Sequence, residues 1–126
     1  MTIAEIGILV IIGLAAGMLS GLFGIGGGVV VVPALIFFVG MTQHEAQGTS
    51  LGLMLLPVGI LAAYNYHKSG NLDIKTGVII ALAFVIGGYF GSKLSLGISE
   101  HMLKRIFGVL MLLIALKLIF FTKEAV

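Results

Sequence analysis

The chain has 126 residues, of which 60% are hydrophobic and only 10% are charged, and its mean hydropathy is +1.24. This composition is typical of an integral membrane protein and not of a soluble domain. The net charge of +2 is too small to indicate nucleic acid as a partner. Because the chain has no cysteine, disulfides, iron–sulfur clusters and thiolate zinc sites are excluded.

The first apolar stretch, residues 6–43, carries no ionisable side chain. As a single helix it would be about 57 Å long, nearly twice the roughly 30 Å thickness of the hydrocarbon core. The glycine-rich run SGLFGIGGG at residues 20–28 lies in its middle, and each glycine costs about 1 kcal/mol in a helix interior relative to alanine. The sequence therefore predicts a broken helix, with short segments at residues 6–19 and 29–39.

Three further apolar stretches follow, each about the length of one membrane span. They cover residues 46–66, 76–92 and 106–122, and only the last contains a charge, Lys117. The sequence thus predicts an all-α integral membrane protein with about four membrane regions, the first of them discontinuous. The Lys and Arg residues divide almost equally between the two sides of the membrane, so we expect insertion in both orientations.

Several motifs accompany the glycine run at residues 20–28. They are VPAL at 32–35, HEAQGTSL at 44–51, GNLD at 70–73 and LKRIFG at 103–108. Together these motifs resemble the TauE/SafE family of sulfite and organosulfonate exporters, also called the toluene-sulfonate uptake permease family. Members of that family are about twice this length and have two similar halves. The resemblance therefore implies that residues 1–126 form a single transmembrane domain equivalent to one half, in a transporter and not in an enzyme.

The consecutive glycines are candidate substrate-binding residues, namely Gly26, Gly27 and Gly28. Where a helix unwinds at membrane depth, its backbone groups must be buried in protein or must face a water-lined cavity. The N–H groups and positive dipole end of the following segment suit an anion such as sulfite. Close helix packing is the alternative, and we favour packing for the glycines at 13, 17 and 21 because of their small-xxx-small spacing.

A second polar motif opens the next predicted span. It consists of Gln47, Gly48, Thr49 and Ser50. Their hydroxyl and amide groups, with nearby backbone N–H groups, can complete a shell of donors around an oxyanion. A helix cap combined with a polar contact between helices is the alternative. The sequence favours the two interpretations about equally.

Three residues outside these motifs are candidates for coupling and movement. His44 lies at an expected membrane edge, where an imidazole can couple proton movement to anion movement; an ordinary interfacial residue is the alternative. Pro33 and Pro57 fall inside predicted spans and are candidate hinges, with a static kink as the alternative. The three histidines lie in different connections and lack metal-site spacing, and the glycine run matches no nucleotide motif. We therefore expect neither a metal nor another cofactor.

The sequence as a whole predicts a secondary transporter that exports sulfite or a related small sulfur-containing anion across the plasma membrane. The substrate class is what the resemblance implies. Because four membrane regions are few to enclose a solute pathway, we expect a homodimer in the lipid bilayer. The alternatives are a membrane-embedded structural or interaction subunit and a passive anion channel. A scaffold would not need a polar cluster beside a helix break, and a channel would not show saturable counter-transport.

Overall fold

The structure, a computed structural model, describes residues 1–24 and 28–121. Over these residues the regular elements are all helical, as predicted, and no strand is present. The helices are α1 Ile3–Phe23, α2 Gly28–Ala34, α3 Gln43–Leu53, α4 Ile60–Lys68, α5 Ile74–Leu96 and α6 Glu100–Phe120, and a π-helical segment at Leu35–Val39 extends α2.

The predicted break in the first apolar stretch is confirmed. Helix α1 ends at Phe23, and Gly24 follows in the left-handed region with φ 67° and ψ 26°. The N–H of Gly24 donates to the carbonyl of Ser20 at 2.6 Å, which closes the last turn. Helix α2 then begins at Gly28. Helix α1 thus continues four residues beyond the expected end at residue 19, because the single glycine at position 21 does not interrupt it.

The second predicted span, residues 46–66, is divided between two helices near Pro57, the residue that the sequence predicts as a hinge or kink. Helix α3 ends at Leu53 and α4 begins at Ile60. Pro57 lies between them; it has no N–H to donate, and it disfavours helical backbone at the residue before it. Residues 54–56 accordingly tighten into turns in which each N–H donates three residues back, at 3.1–3.2 Å.

Two helices, α1 and α5, are long and apolar enough to cross a membrane. The segment Gly28–Val39 is a shorter apolar helix. Helix α6 has 21 residues but includes Lys104, Arg105 and Lys117. These elements are consistent with a membrane protein, while the number of four membrane regions stays a prediction.

The core lies where α2 packs between α1 and α3, and α3 in turn contacts α6. Its buried apolar residues are Ala16, Val31, Val32, Leu35 and Ala46. Ala46 is 0% exposed, so the small side chain allows α2 and α3 to approach closely. Helices α4 and α5 bury none of their residues. At the start of α3, Gln43 and Ala46 are buried, whereas His44 faces the end of α5 and the start of α6.

Candidate functional site

The site begins at the first turn of α3, whose start is fixed by a capping box. The side chain of Thr42 accepts from the N–H of Glu45, and the carboxylate of Glu45 accepts from the N–H of Thr42, both at 3.1 Å. Each bond satisfies a backbone N–H that has no partner within the helix. The cap fixes the register of α3 and so determines which face each of the following polar residues occupies.

His44 joins three helices at this point. Its Nε2 donates to the carbonyl of Ser95 at the end of α5, at 2.8 Å. Its Nδ1 pairs with one carboxylate oxygen of Glu100, at the start of α6, and its backbone N–H donates to the other at 2.9 Å. Both ring nitrogens therefore face acceptors, and only the doubly protonated imidazolium can donate to both.

The ionisation of this pair follows from these bonds. His44 and Glu100 lie before the predicted spans at 46–66 and 106–122. The carbonyl of Ser95 and, after it, the carboxylate of Glu100 raise the pKa of His44 above its ordinary value of 6.5. The backbone N–H of His44 is the main cause that lowers the pKa of Glu100 below its ordinary 4.5. The arrangement favours the charged form of both groups.

A hydrogen bond between two glutamines on α3 fixes the orientation of the Gln47 side-chain amide. The Nε2 of Gln43 donates to the Oε1 of Gln47 at 2.8 Å, and the Nε2 of Gln47 lies 3.5 Å from the hydroxyl of Ser95. Because the amide oxygen of Gln47 accepts a hydrogen bond from Gln43, the amide N–H groups of Gln47 are directed toward α5. Gln43 itself is 1% exposed, and its Oε1 has no hydrogen-bond partner among the described residues.

A cavity of about 330 Å³ lies between α3 and α5. On the α3 side it is lined by His44, Gln47 and Gly48, and on the α5 side by Ser92 and Ser95. The remaining lining is apolar or glycine, with Phe84 as the largest side chain. Three of the residues predicted from sequence are thus brought together with two serines of a different helix.

The other predicted residues lie on different faces of α3. Ser50 is 6% exposed and faces α2, where a Cβ added to Gly28 would be 3.9 Å from the Ser50 hydroxyl oxygen. The hydroxyl of Thr49 contacts the Met41 sulfur at 3.9 Å and does not line the cavity. The structure therefore joins the glycine run to the second motif through Gly28 and Ser50. Gly26 and Gly27 lie outside the described residues.

A second cavity, of about 360 Å³, lies along α1 and beside the break between α3 and α4. Its lining includes Gly13, Gly17 and Gly21. No heavy atom lies within 4 Å of a Cβ added at any of these three positions, so close packing within the described chain does not explain them. The hydroxyl of Tyr66 donates to the carbonyl of Gly21 at 2.7 Å and ties α4 to the end of α1.

The two candidate hinges occupy different settings. Pro33 lies inside α2, two residues before the start of the π-helical segment, and Pro57 lies in the break between α3 and α4. In both places proline removes a backbone hydrogen bond, and hinge movement at either residue stays a prediction. Within residues 1–24 and 28–121, no three His, Asp or Glu side chains come together as a metal site would require.

Reasoning from sequence did not identify Glu100, Ser92 or Ser95. Glu100 follows Ser99, whose side chain caps α6 by accepting from the N–H of Met102, so in sequence it has the appearance of an ordinary acidic residue in a first turn. The two serines are the feature of the sequence that could have identified this part of the site, because they are three residues apart on one face of a mostly apolar helix.

Interrupted helices with polar side chains beside the breaks, together with spans long enough to cross a bilayer, are features of the class of membrane transport proteins. The chain belongs to the sulfite exporter TauE/SafE family, whose family profile matches residues 9–125. No solved structure matches it significantly.

Relatives with the same coverage pattern occur in several bacteria. A probable membrane transporter protein of Xylella fastidiosa is 35% identical over 114 residues, which is 86% of this chain and 42% of the relative. The probable membrane transporter protein YunE of Bacillus subtilis is 36% identical over 118 residues, 88% of this chain and 43% of the relative. A probable membrane transporter protein of Haemophilus influenzae is 31% identical over 126 residues, which is 90% of this chain and 46% of the relative. The chain thus spans less than half the length of these relatives, and its family is one of membrane transporters, not of enzymes.

Proposed function

We propose that the chain is the repeating unit of a secondary transporter that exports sulfite or a related small sulfur-containing anion across the plasma membrane. The observation that carries this proposal is the cavity between α3 and α5, where His44, Gln47 and Gly48 meet Ser92 and Ser95. The name of the family supports the substrate class.

The chemistry of the cavity suits an oxyanion. The imidazolium of His44 supplies positive charge, the amide of Gln47 directs its N–H groups toward α5, and two serine hydroxyls can donate. The volume of about 330 Å³ lies at the lower end of the roughly 300–1,000 Å³ found for small-molecule sites. The remainder of the lining is apolar or glycine, and a low local dielectric strengthens polar contacts of this kind.

The glycine run belongs to the same pathway in this proposal. Gly28 lies against Ser50, which is on the same helix as the cavity residues Gln47 and Gly48 but does not line the cavity, so α3 connects the proposed site to the broken helix. The contribution of Gly26 and Gly27 rests on the sequence, since consecutive glycines let the backbone approach a ligand closely. We propose Pro33 and Pro57 as the hinges of this movement and His44 as the residue that couples it to protons.

A homodimer completes the transporter in this proposal. The chain covers 42–46% of the length of the relatives above, and the apolar helix α5 buries none of its 23 residues in this chain. A second copy can cover α5 and close the open side of the cavity. Mass measurement of the purified protein in detergent tests this step: a monomer that still transports contradicts it.

The experiment that tests the proposed substrate measures sulfite movement in membrane vesicles from cells that express the chain. Gln47→Leu removes the cavity amide and should reduce the rate by about tenfold or more, because a hydrogen bond to a charged group contributes about 1.5–3 kcal/mol. Ser69→Ala is the matched control, since Ser69 lies in the loop after α4 and lines neither cavity. Equal rates in wild type and Gln47→Leu would overturn the assignment of the cavity.

Saturation separates the carrier from the alternatives. A carrier should show a saturable rate that rises when the opposite side holds unlabelled anion. A rate that increases linearly with concentration would identify a passive channel. Vesicles that never exceed the empty-vector rate would leave the chain as a structural or interaction subunit.

A further inference from the structure

The carboxylate of Glu100 is itself an anion, and it is bound directly to the donors of His44 in the proposed site. One carboxylate oxygen accepts from the backbone N–H of His44 at 2.9 Å, and the other pairs with the Nδ1 of the same residue. A carboxylate held by a backbone N–H and an imidazolium has the same contacts that a small oxyanion of similar size would make. These donors adjoin the cavity that His44 also lines.

No other carboxylate on these helices competes for His44. Glu45, on the same helix, accepts from the N–H of Thr42 in the capping box. The cations nearby on α5 and α6 are Lys93, Lys104 and Arg105, with His101 as a further titratable group; among the described residues, none of the three cations is within 4 Å of the Glu100 carboxylate. His44 and Glu100 therefore depend on each other for charge pairing.

We infer that Glu100 is a resident gate, a carboxylate that occupies the oxyanion position on His44 and that an incoming anion displaces. This inference rests on the proposed function, because it concerns the same cavity. In this displacement step His44 is protonated and changes one anionic partner for another, while Glu100, whose side chain is 46% exposed, moves into solvent; the proton release proposed above for His44 belongs to a separate step. Without an anion Glu100 therefore covers the donors on His44 most of the time, and an incoming anion shifts the site toward the state in which Glu100 is released.

The gate has a measurable consequence for affinity. A ligand that must displace an internal competitor binds with an apparent dissociation constant increased by the reciprocal of the open fraction. If Glu100 covers the donors about nine-tenths of the time, removal of its charge improves affinity about tenfold. A purely structural role for Glu100 predicts the opposite, since loosening α3 from α6 would disorder the donors.

The test is calorimetric titration of the purified full chain in detergent with sulfite, sulfate and acetate, each separately, below pH 6.5 so that His44 is protonated. Glu100→Gln should tighten binding of at least one anion by about tenfold. Glu45→Gln is the matched control, because it removes the same charge from the first turn of the neighbouring helix α3, keeps a side chain that can complete the capping box, and does not touch the His44 ring; it should stay within about twofold of wild type. Glu100→Asp shortens the carboxylate so that it cannot reach both donors, and it should give an intermediate gain if Glu100→Gln does not fold.

The outcomes separate this inference from the proposed substrate. If sulfate or acetate shows the expected pattern and sulfite does not bind, the gate stands and sulfite is wrong. If the wild type binds sulfite but neither Glu100 variant binds any anion more tightly, the gate is wrong and the substrate stands. Equal gains in Glu45→Gln and Glu100→Gln would show a general charge effect and would overturn the gate. The gate would also be overturned if none of the three anions bound to the wild type or to the Glu100 variants.

Discussion

Replacement of Gly24 by alanine tests the break between α1 and α2. Gly24 has φ 67° and ψ 26°, and an L-residue with a Cβ pays about 1–2 kcal/mol in this left-handed region. No heavy atom lies within 4 Å of the position that the new Cβ would occupy, so no steric clash adds to this cost. We therefore expect Gly24→Ala to lower the free energy of unfolding by about 1–2 kcal/mol.

Gly7→Ala is the matched control for this prediction. Gly7 lies inside α1, has ordinary helical backbone, and also has no heavy atom within 4 Å of its would-be Cβ. Alanine should stabilise this position by about 0.8–1 kcal/mol through helix propensity. The same chemical change should thus have opposite signs at two positions of one helix, with a difference of about 2–3 kcal/mol between the variants.

The assay is reversible unfolding in mixed micelles of increasing denaturing detergent, followed by circular dichroism. The reasoning is refuted if Gly24→Ala is as stable as Gly7→Ala, because α1 would then continue through residue 24 as regular helix. In that case the first apolar stretch would not be broken at the glycine run.

Three further predictions concern side-chain bonds near the ends of helices. Tyr66→Phe removes the 2.7 Å bond from the hydroxyl to the carbonyl of Gly21 and should cost about 0.5–1.5 kcal/mol in the same unfolding assay; no change would mean that α4 is not tied to α1. Thr42→Ala removes the side-chain cap of α3 and should cost about 1 kcal/mol, whereas Thr42→Ser should retain most of it. The His44 and Glu100 pair should stabilise the fold only within a pH window. The pKa of His44 is raised above 6.5, so its contribution to stability is complete below pH 6.5 and is lost as the pH rises through the raised pKa. The pKa of Glu100 is lowered below 4.5, so its contribution is present above pH 4.5 and is lost as the pH falls through the lowered pKa. The stability difference between wild type and His44→Gln, measured against pH, should follow this window, and parallel curves would contradict the pairing.

The parts of the fold that the sequence predicts are those with a local cause. The break at the glycine run follows from helix propensity at consecutive positions, and α1 ends at Phe23 while α2 begins at Gly28. At Pro57 the sequence predicts a hinge or kink but not a gap between two helices, because a single proline inside the uncharged stretch 46–66 also fits a kinked continuous helix. Only the packing of the flanking helices decides between those outcomes.

The site was predicted in part for a similar reason. His44, Gln47 and Gly48 lie on one face of α3 and Ser50 on another, a division that depends on the register set by the cap at Thr42. Glu100 and Ser95 are 56 and 51 residues away from His44 in the chain. Their contact depends on how α5 and α6 return to α3, which no local pattern encodes.

The most direct test of the central claim is uptake of radiolabelled sulfite into liposomes that contain only the purified chain, with sulfate, thiosulfate and a small sulfonate as competitors. We predict saturable uptake that at least one of these anions inhibits and that Gln47→Leu reduces. Uptake no greater than that of empty liposomes, from protein shown to be folded and inserted, would contradict the claim that this chain forms a self-sufficient anion transporter.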